Sequence, residues 1–174
     1  MTEIEVKILD IDRTAVEATL LAAGASLIFD GEMVADFWDD AAGSLTASKS
    51  LLRLRSEGDH SVLTFKQPLP TQDGTKVMRE TETIVSDAAA MREILRSISF
   101  SPKKTTQKRR TTYSLAGVLV LIDVYGGDMS YIPPFVEIEA DSAEKVYSTA
   151  AALGFSREAC LNWNTYDLMQ HYGR

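Results

Sequence analysis

Long charged residues recur at alternate positions along most of this 174-residue chain. Glu3, Glu5 and Lys7 form the first set. Arg53 and Arg55, then Lys66, Glu80 and Glu82, Lys108 and Arg110, Asp123, and finally Glu137 and Glu139 follow. Side chains of an extended strand alternate between two faces, so each spaced pair shares a face. The residues between them, such as Ile4, Val6 and Ile8 or Leu52 and Leu54, are aliphatic and take the other face. One such strand alone reads as a half-buried strand with its charges in water. Six cations and seven carboxylates distributed in this way allow more. Arginine donates two parallel hydrogen bonds that suit phosphate, and lysine adds point charge. Carboxylates at alternate positions suit a hard divalent cation, which prefers oxygen ligands. Together they could hold a metal-bound polyphosphate, and they could equally form a network of internal salt bridges.

The elements that must position these groups can be read from turn and cap signals. Asp12 can cap a helix over 13–23, with Val16, Leu20 and Leu21 on its apolar stripe and Gly24 as the stop. A strand is expected over 33–39, then a mobile small-residue loop through 50. A hairpin follows over 51–56 and 61–67, turning at Glu57-Gly58-Asp59-His60. Residues 68–75 hold two prolines and Asp73-Gly74 and read as a loop. A long strand over 76–85 precedes a helix capped by Asp87 and running to about residue 98. Strands over 104–114 and 117–125, a break at Gly126-Gly127-Asp128, and a strand over 135–140 come next. Ser142 can cap a helix that ends before Gly154, and a short helix is expected over 165–171. The count is about eight strands and four helices in an α+β chain, 1–174 reading as a single domain. Eight antiparallel strands can close into a barrel, leaving no exposed edge. With helices packed on the aliphatic outside, the charged faces would line the lumen, where they must pair or bind something.

The formal charge is −7, from 25 acidic and 18 basic residues, which argues against a duplex nucleic-acid partner. Cys160 is the single cysteine, so no internal disulfide and no cysteine zinc site can form. No apolar run nears the roughly 20 residues that span a bilayer, and the start reads as a charged strand rather than a leader. A cytoplasmic protein without a membrane partner is expected, and assembly as a homodimer is compatible with the sequence. His60 and His171 read as surface residues, Cys160 as a small buried hydrophobe, and Lys103-Lys104 as a solvated pair. Gly126-Gly127-Asp128 lacks the lysine of a phosphate loop and reads as a turn. Tyr166 is expected to pack the last helix on the barrel rather than to close one tunnel end.

The ordered set resembles the CYTH superfamily, the triphosphate tunnel metalloenzymes. Glu3-x-Glu5-x-Lys7 is similar to its ExExK signature. The likeness continues through Leu-Arg53-Leu-Arg55, Thr-Phe-Lys66, Arg-Glu80-Thr-Glu82, Lys108-Arg-Arg110, Leu-Ile-Asp123 and Phe-Val-Glu137-Ile-Glu139. Asp36-Phe37-Trp38-Asp39-Asp40 resembles the family's Asp-x-Tyr-x-Asp segment with tryptophan in place of tyrosine. Tyr131-Ile132-Pro133-Pro134 departs from the common Leu-Gly before the last strand. The resemblance implies an eight-stranded antiparallel tunnel that binds a triphosphate with Mg²⁺ or Mn²⁺. It gives phosphate binding to Arg53, Arg55, Lys66, Lys108 and Arg110. It gives metal binding to Glu3, Glu5, Glu137 and Glu139, supported by Asp123 and by Glu80 or Glu82. Lys7 would act as base or leaving-group stabiliser. The implied activity is hydrolysis of tripolyphosphate, thiamine triphosphate or ATP. One metal would neutralise phosphate oxygens and a second would activate water. A class IV adenylyl cyclase making cyclic AMP and pyrophosphate is the alternative, and a non-catalytic polyphosphate-binding module is a third reading. A plain ligand-carrying barrel fits least, since such lumens are mostly apolar.

Overall fold

The computed structural model describes residues 2–57 and 60–173. Eight antiparallel strands close into a barrel: β1 (Thr2–Ile8), β2 (Ser26–Asp39), β3 (Leu51–Glu57), β4 (His60–Pro68), β5 (Lys76–Val85), β6 (Ser101–Leu115), β7 (Val118–Tyr125) and β8 (Phe135–Ala140). Round the ring the order is β1-β5-β4-β3-β2-β6-β7-β8, with β8 paired back to β1. The helices are α1 (Arg13–Ala22), α2 (Ser44–Ala47), α3 (Ala88–Ser97), α4 (Ala143–Ala152) and α5 (Thr165–Tyr172). The expected bounds of β5 and β8 hold, as do the side-chain caps of Asp12, Asp87 and Ser142 on the N–H groups of Ala15, Ala90 and Lys145. Among the described residues no helix is long and apolar enough to cross a membrane.

Three expectations are corrected. β2 begins at Ser26 instead of residue 33 and pairs along nearly all of β6. Its early half escapes a hydrophobic reading because Asp30 and Glu32 interrupt it. Both meet Arg109 of β6, at 2.7 Å and 3.8 Å. The stretch expected as a mobile loop before β3 contains α2, pinned by the Asp39 carboxylate. That group accepts from the N–H of Asp40, Leu45 and Thr46 (2.8, 3.0 and 2.9 Å) and from the Thr46 hydroxyl (2.7 Å). Tyr166 does not pack α5 on the barrel: its ring is exposed, and Leu168 fills that place, fully buried against Tyr125, Met129, Ile132 and Phe135. The hairpin turn expected at Gly58-Asp59 lies outside the described residues.

Most of the apolar core lies outside the barrel; Tyr125 and Phe135, on the inner face, form a separate cluster with Leu168. Ile4, Val6 and Ile8 of β1 pack with Val120, Ile122, Val136 and Ile138 beneath Val16 and Leu20 of α1 and Val146 and Ala150 of α4. On the far side Leu95 of α3 sits against Trp38, Leu54 and Val85. Each such buried aliphatic contributes about 1.5–3 kcal/mol. Because these faces are spent on the helices, the period of two forces the alternate, charged residues inward.

Candidate active site in the barrel lumen

β1 and β8 lie side by side, with Glu5 opposite Glu139 and Lys7 opposite Glu137. This register brings Glu3, Glu5 and Glu139 together, with carboxylate oxygens within 4.8 Å of one another. Burial together with the neighbouring Glu3 and Glu137 pushes the Glu139 carboxyl up to about 8. The charged form of Glu139 is thus disfavoured, which a bound cation would relieve, while against its burial Lys7 and Lys76 hold Glu5 ionised. All-carboxylate donors fit a hard divalent ion such as Mg²⁺ or Mn²⁺.

The other expected carboxylates take different work. Glu137 lies between Lys7 (2.7 Å) and Arg110 (2.6 Å). Burial opposes its ionisation, but Lys7 and Arg110 outweigh that and hold it well below the usual carboxylate range. Asp123 is completely buried. It accepts two bonds from Arg110, from Nε at 2.7 Å and Nη2 at 2.6 Å, and one from Lys108 at 2.5 Å. It therefore orients cations and is not among the grouped acids. Lys66 reaches across to Glu3 and lies 3.2 Å from Glu80. Burial and a hydrogen bond with Glu3 push Glu80 up to about 8. Glu82 accepts from the Thr64 hydroxyl at 2.6 Å and lies 3.7 Å from Arg53. Of this pair, Glu80 is the acid next to the trio.

Lys7 sits between Glu5 (3.1 Å) and Glu137. Burial would lower its pKa, yet Glu137 and Glu5 raise it far above the usual lysine value. Its charged form is thereby favoured, which suits the leaving-group half of the expected role. The lumen cations are crowded in turn. Burial, with Arg55 and Arg110 nearby, lowers Arg53, and burial with Arg110 lowers Lys108 despite Asp123. The Arg53 side chain donates to Thr64 at 3.3 Å, while its buried Nε has no hydrogen-bond partner among the described residues. A polyanion would meet both needs.

Two features of the lumen were missed in the sequence. Lys76 also points inward, and its ammonium lies 2.7 Å from Glu5. It shares the parity of Glu80 and Glu82 on one strand, so alternation alone could have found it. β2, four places round the ring from β1, turns Gly31, Met33, Ala35 and Phe37 inward opposite Arg110, Lys108, Thr106 and Lys104, and it adds no charge. Asp36, from the segment likened to the family's Asp-x-Tyr-x-Asp, faces out to Arg92 (2.9 Å) and Thr105 (2.8 Å). Asp39 caps α2, and Trp38 lies in the outer core.

The chain belongs to the CYTH domain family, whose pattern matches residues 1–155. Enzymes of this family are metal-dependent and include triphosphatases and adenylyl cyclases. No curated protein matches the sequence. Among solved structures, the PH1012 protein of Pyrococcus horikoshii superposes with a TM-score of 0.79 at 21% identity, over 95% of this chain and 98% of that one. A provisionally named adenylate cyclase of Vibrio parahaemolyticus gives 0.82 at 15% identity, over 98% of each chain. A provisionally named adenylyl cyclase of Hippeastrum, described as having a dominant triphosphatase activity, gives 0.67 at 17% identity, over 98% and 95%. At these identities the likeness establishes the fold.

Proposed function

We propose that this chain, acting as a single domain, is a divalent-metal-dependent triphosphatase that hydrolyses an inorganic or organic triphosphate. One observation carries the reading: a carboxylate trio and a set of crowded cations face each other in one lumen, where burial and like charge disfavour the charged forms of Glu139 on one side and of Arg53 and Lys108 on the other. Glu3, Glu5 and Glu139 would hold Mg²⁺ or Mn²⁺, with Glu80 beside them. When bound, the metal supplies charge neutralisation and an activated water. Arg53, Arg55, Lys66, Lys108 and Arg110 bind the phosphates and stabilise charge spread over the transferred group. Asp123 and Glu137 fix the direction of Arg110, so its donors are in place before substrate arrives. Lys7 contributes fixed positive charge near the metal carboxylates.

The same cradle would suit an adenylyl cyclase, a name carried by the Vibrio protein of like fold. A cyclase needs a base for the ribose hydroxyl, and the ion pairs of Lys7 with Glu137 and Glu5 favour its protonated form. Purified protein with Mg²⁺ or Mn²⁺ should release orthophosphate from tripolyphosphate, thiamine triphosphate or ATP, and EDTA should stop it. Cyclic AMP and pyrophosphate from ATP would decide for the cyclase. Tight triphosphate binding without turnover would decide for a binding module.

A further inference from the structure

Lys76 opens β5 on the lumen side, with its Cα paired to that of Glu5. Its ammonium lies 2.7 Å from Glu5 Oε1, the same oxygen that Lys7 approaches at 3.1 Å. The two lysines differ in what else holds them. Lys7 is also bound to Glu137 at 2.7 Å, and its side chain is 4% exposed. The Lys76 side chain is 24% exposed, and among the ion pairs described here Glu5 is its one partner. The backbone beneath it is well fixed. Thr75, fully buried, donates its N–H and hydroxyl to the Gln72 carbonyl at 2.8 and 2.6 Å. The Tyr147 hydroxyl and Arg157 then tie the Asp73 carbonyl to α4 and the turn after it, at 2.6 and 3.2 Å. The root of this lysine is anchored and its tip is held by a single carboxylate.

We propose that Lys76 is a triphosphate-binding residue that is stored on Glu5 until a cation binds there, so that cation and triphosphate binding depend on each other. This rests on the triphosphate reading above. Glu5 belongs to the carboxylate trio, and one carboxylate cannot serve two ammonium groups and a divalent cation without strong like-charge repulsion. Lys7 keeps Glu137 when Glu5 is taken. Among the described residues Lys76 keeps no other ion pair, and its flexible four-carbon stem lets the charge move to the next acceptor in the lumen, a phosphate oxygen.

Isothermal titration of Mg²⁺ alone, and of tripolyphosphate in saturating Mg²⁺, separates storage from a plain structural pair. Lys76→Met should bind Mg²⁺ about tenfold more tightly, because a competing cation is gone from Glu5. The same variant should bind tripolyphosphate about ten- to a hundredfold more weakly, the loss expected for one charged hydrogen bond. Lys76→Arg should restore most of the triphosphate affinity. If Lys76→Met does not fold, Lys76→Gln serves the same comparison. A variant that binds both ligands as the parent does, or both more weakly, overturns the storage role while leaving the triphosphatase reading intact. A parent protein that binds no tripolyphosphate with Mg²⁺ overturns both.

Discussion

Replacing Asp123 by asparagine tests whether the lumen is wired as the structure shows. The carboxylate is wholly buried and accepts three charge-assisted bonds, one from Lys108 and two from Arg110. An amide of the same shape carries no charge and turns an N–H₂ toward donors that cannot accept it. Breaking one partner of a buried ion pair costs about 3–5 kcal/mol, because the other charge is left uncompensated. In a chain of 174 residues, each kcal/mol moves the Tm by about 2–4 °C, so Asp123→Asn should melt roughly 6–20 °C below the parent. Thermal unfolding followed by circular dichroism measures this. A second variant isolates the cause. Arg110→Met also leaves a lone charge, but the double variant removes one charge of each sign and should regain about 1–3 kcal/mol of the summed loss. A single variant that melts within 2 °C of the parent, or a double variant equal to the sum of the singles, would refute the network.

Glu139→Gln should abolish metal-dependent phosphate release and weaken Mn²⁺ binding by tenfold or more, with Tm held or raised since like charge is removed. Glu3→Ala and Glu5→Ala should lose the same activity but melt lower, because Lys66, Lys7 and Lys76 lose a partner; calorimetry against Mn²⁺ reads the affinity. Asp39, held down to about 2 by burial outweighed by its bonds to Thr46, Leu45 and Asp40, contributes stability that is complete above pH 4 and is lost as pH falls toward 2. Asp39→Asn should therefore lose about 1–2 kcal/mol at neutral pH, as other lost caps do, and show a shallower acid limb in urea midpoints. Leu168→Ala should cost about 2–5 kcal/mol by opening a cavity under α5, and protection of α5 amides from hydrogen exchange should fall before that of β1.

Most of the barrel is legible from alternation because strands such as β1 and β8 spend an aliphatic face on the helices and have one face left for charge. β5 and β8 could be bounded to the residue since turn formers flank them. The early half of β2 could not, because what holds Asp30 and Glu32 in a strand is Arg109 on a partner about 80 residues away. The same limit hides the wiring of the site. Lys66 meets Glu3 across the intervening β5, and Glu137 leaves the acidic trio for Lys7 and Arg110. Such pairings follow from the tilt and stagger of a closed barrel, which local sequence does not specify. Lys76 was open to the same parity argument that found Glu80 and Glu82.

The position of β1 between β5 and β8 has a kinetic consequence. The strand bearing Glu3, Glu5 and Lys7 is made first, yet its neighbours on both sides come much later in the chain. Pairings such as Glu5 with Lys76 and Lys7 with Glu137 are of the long-range kind that slows folding. Closure of the ring thus waits for β8. A partial chain that ends before β8 leaves one edge of β1 unpaired and lacks Glu139, so the closed ring and the carboxylate trio are completed by the same strand.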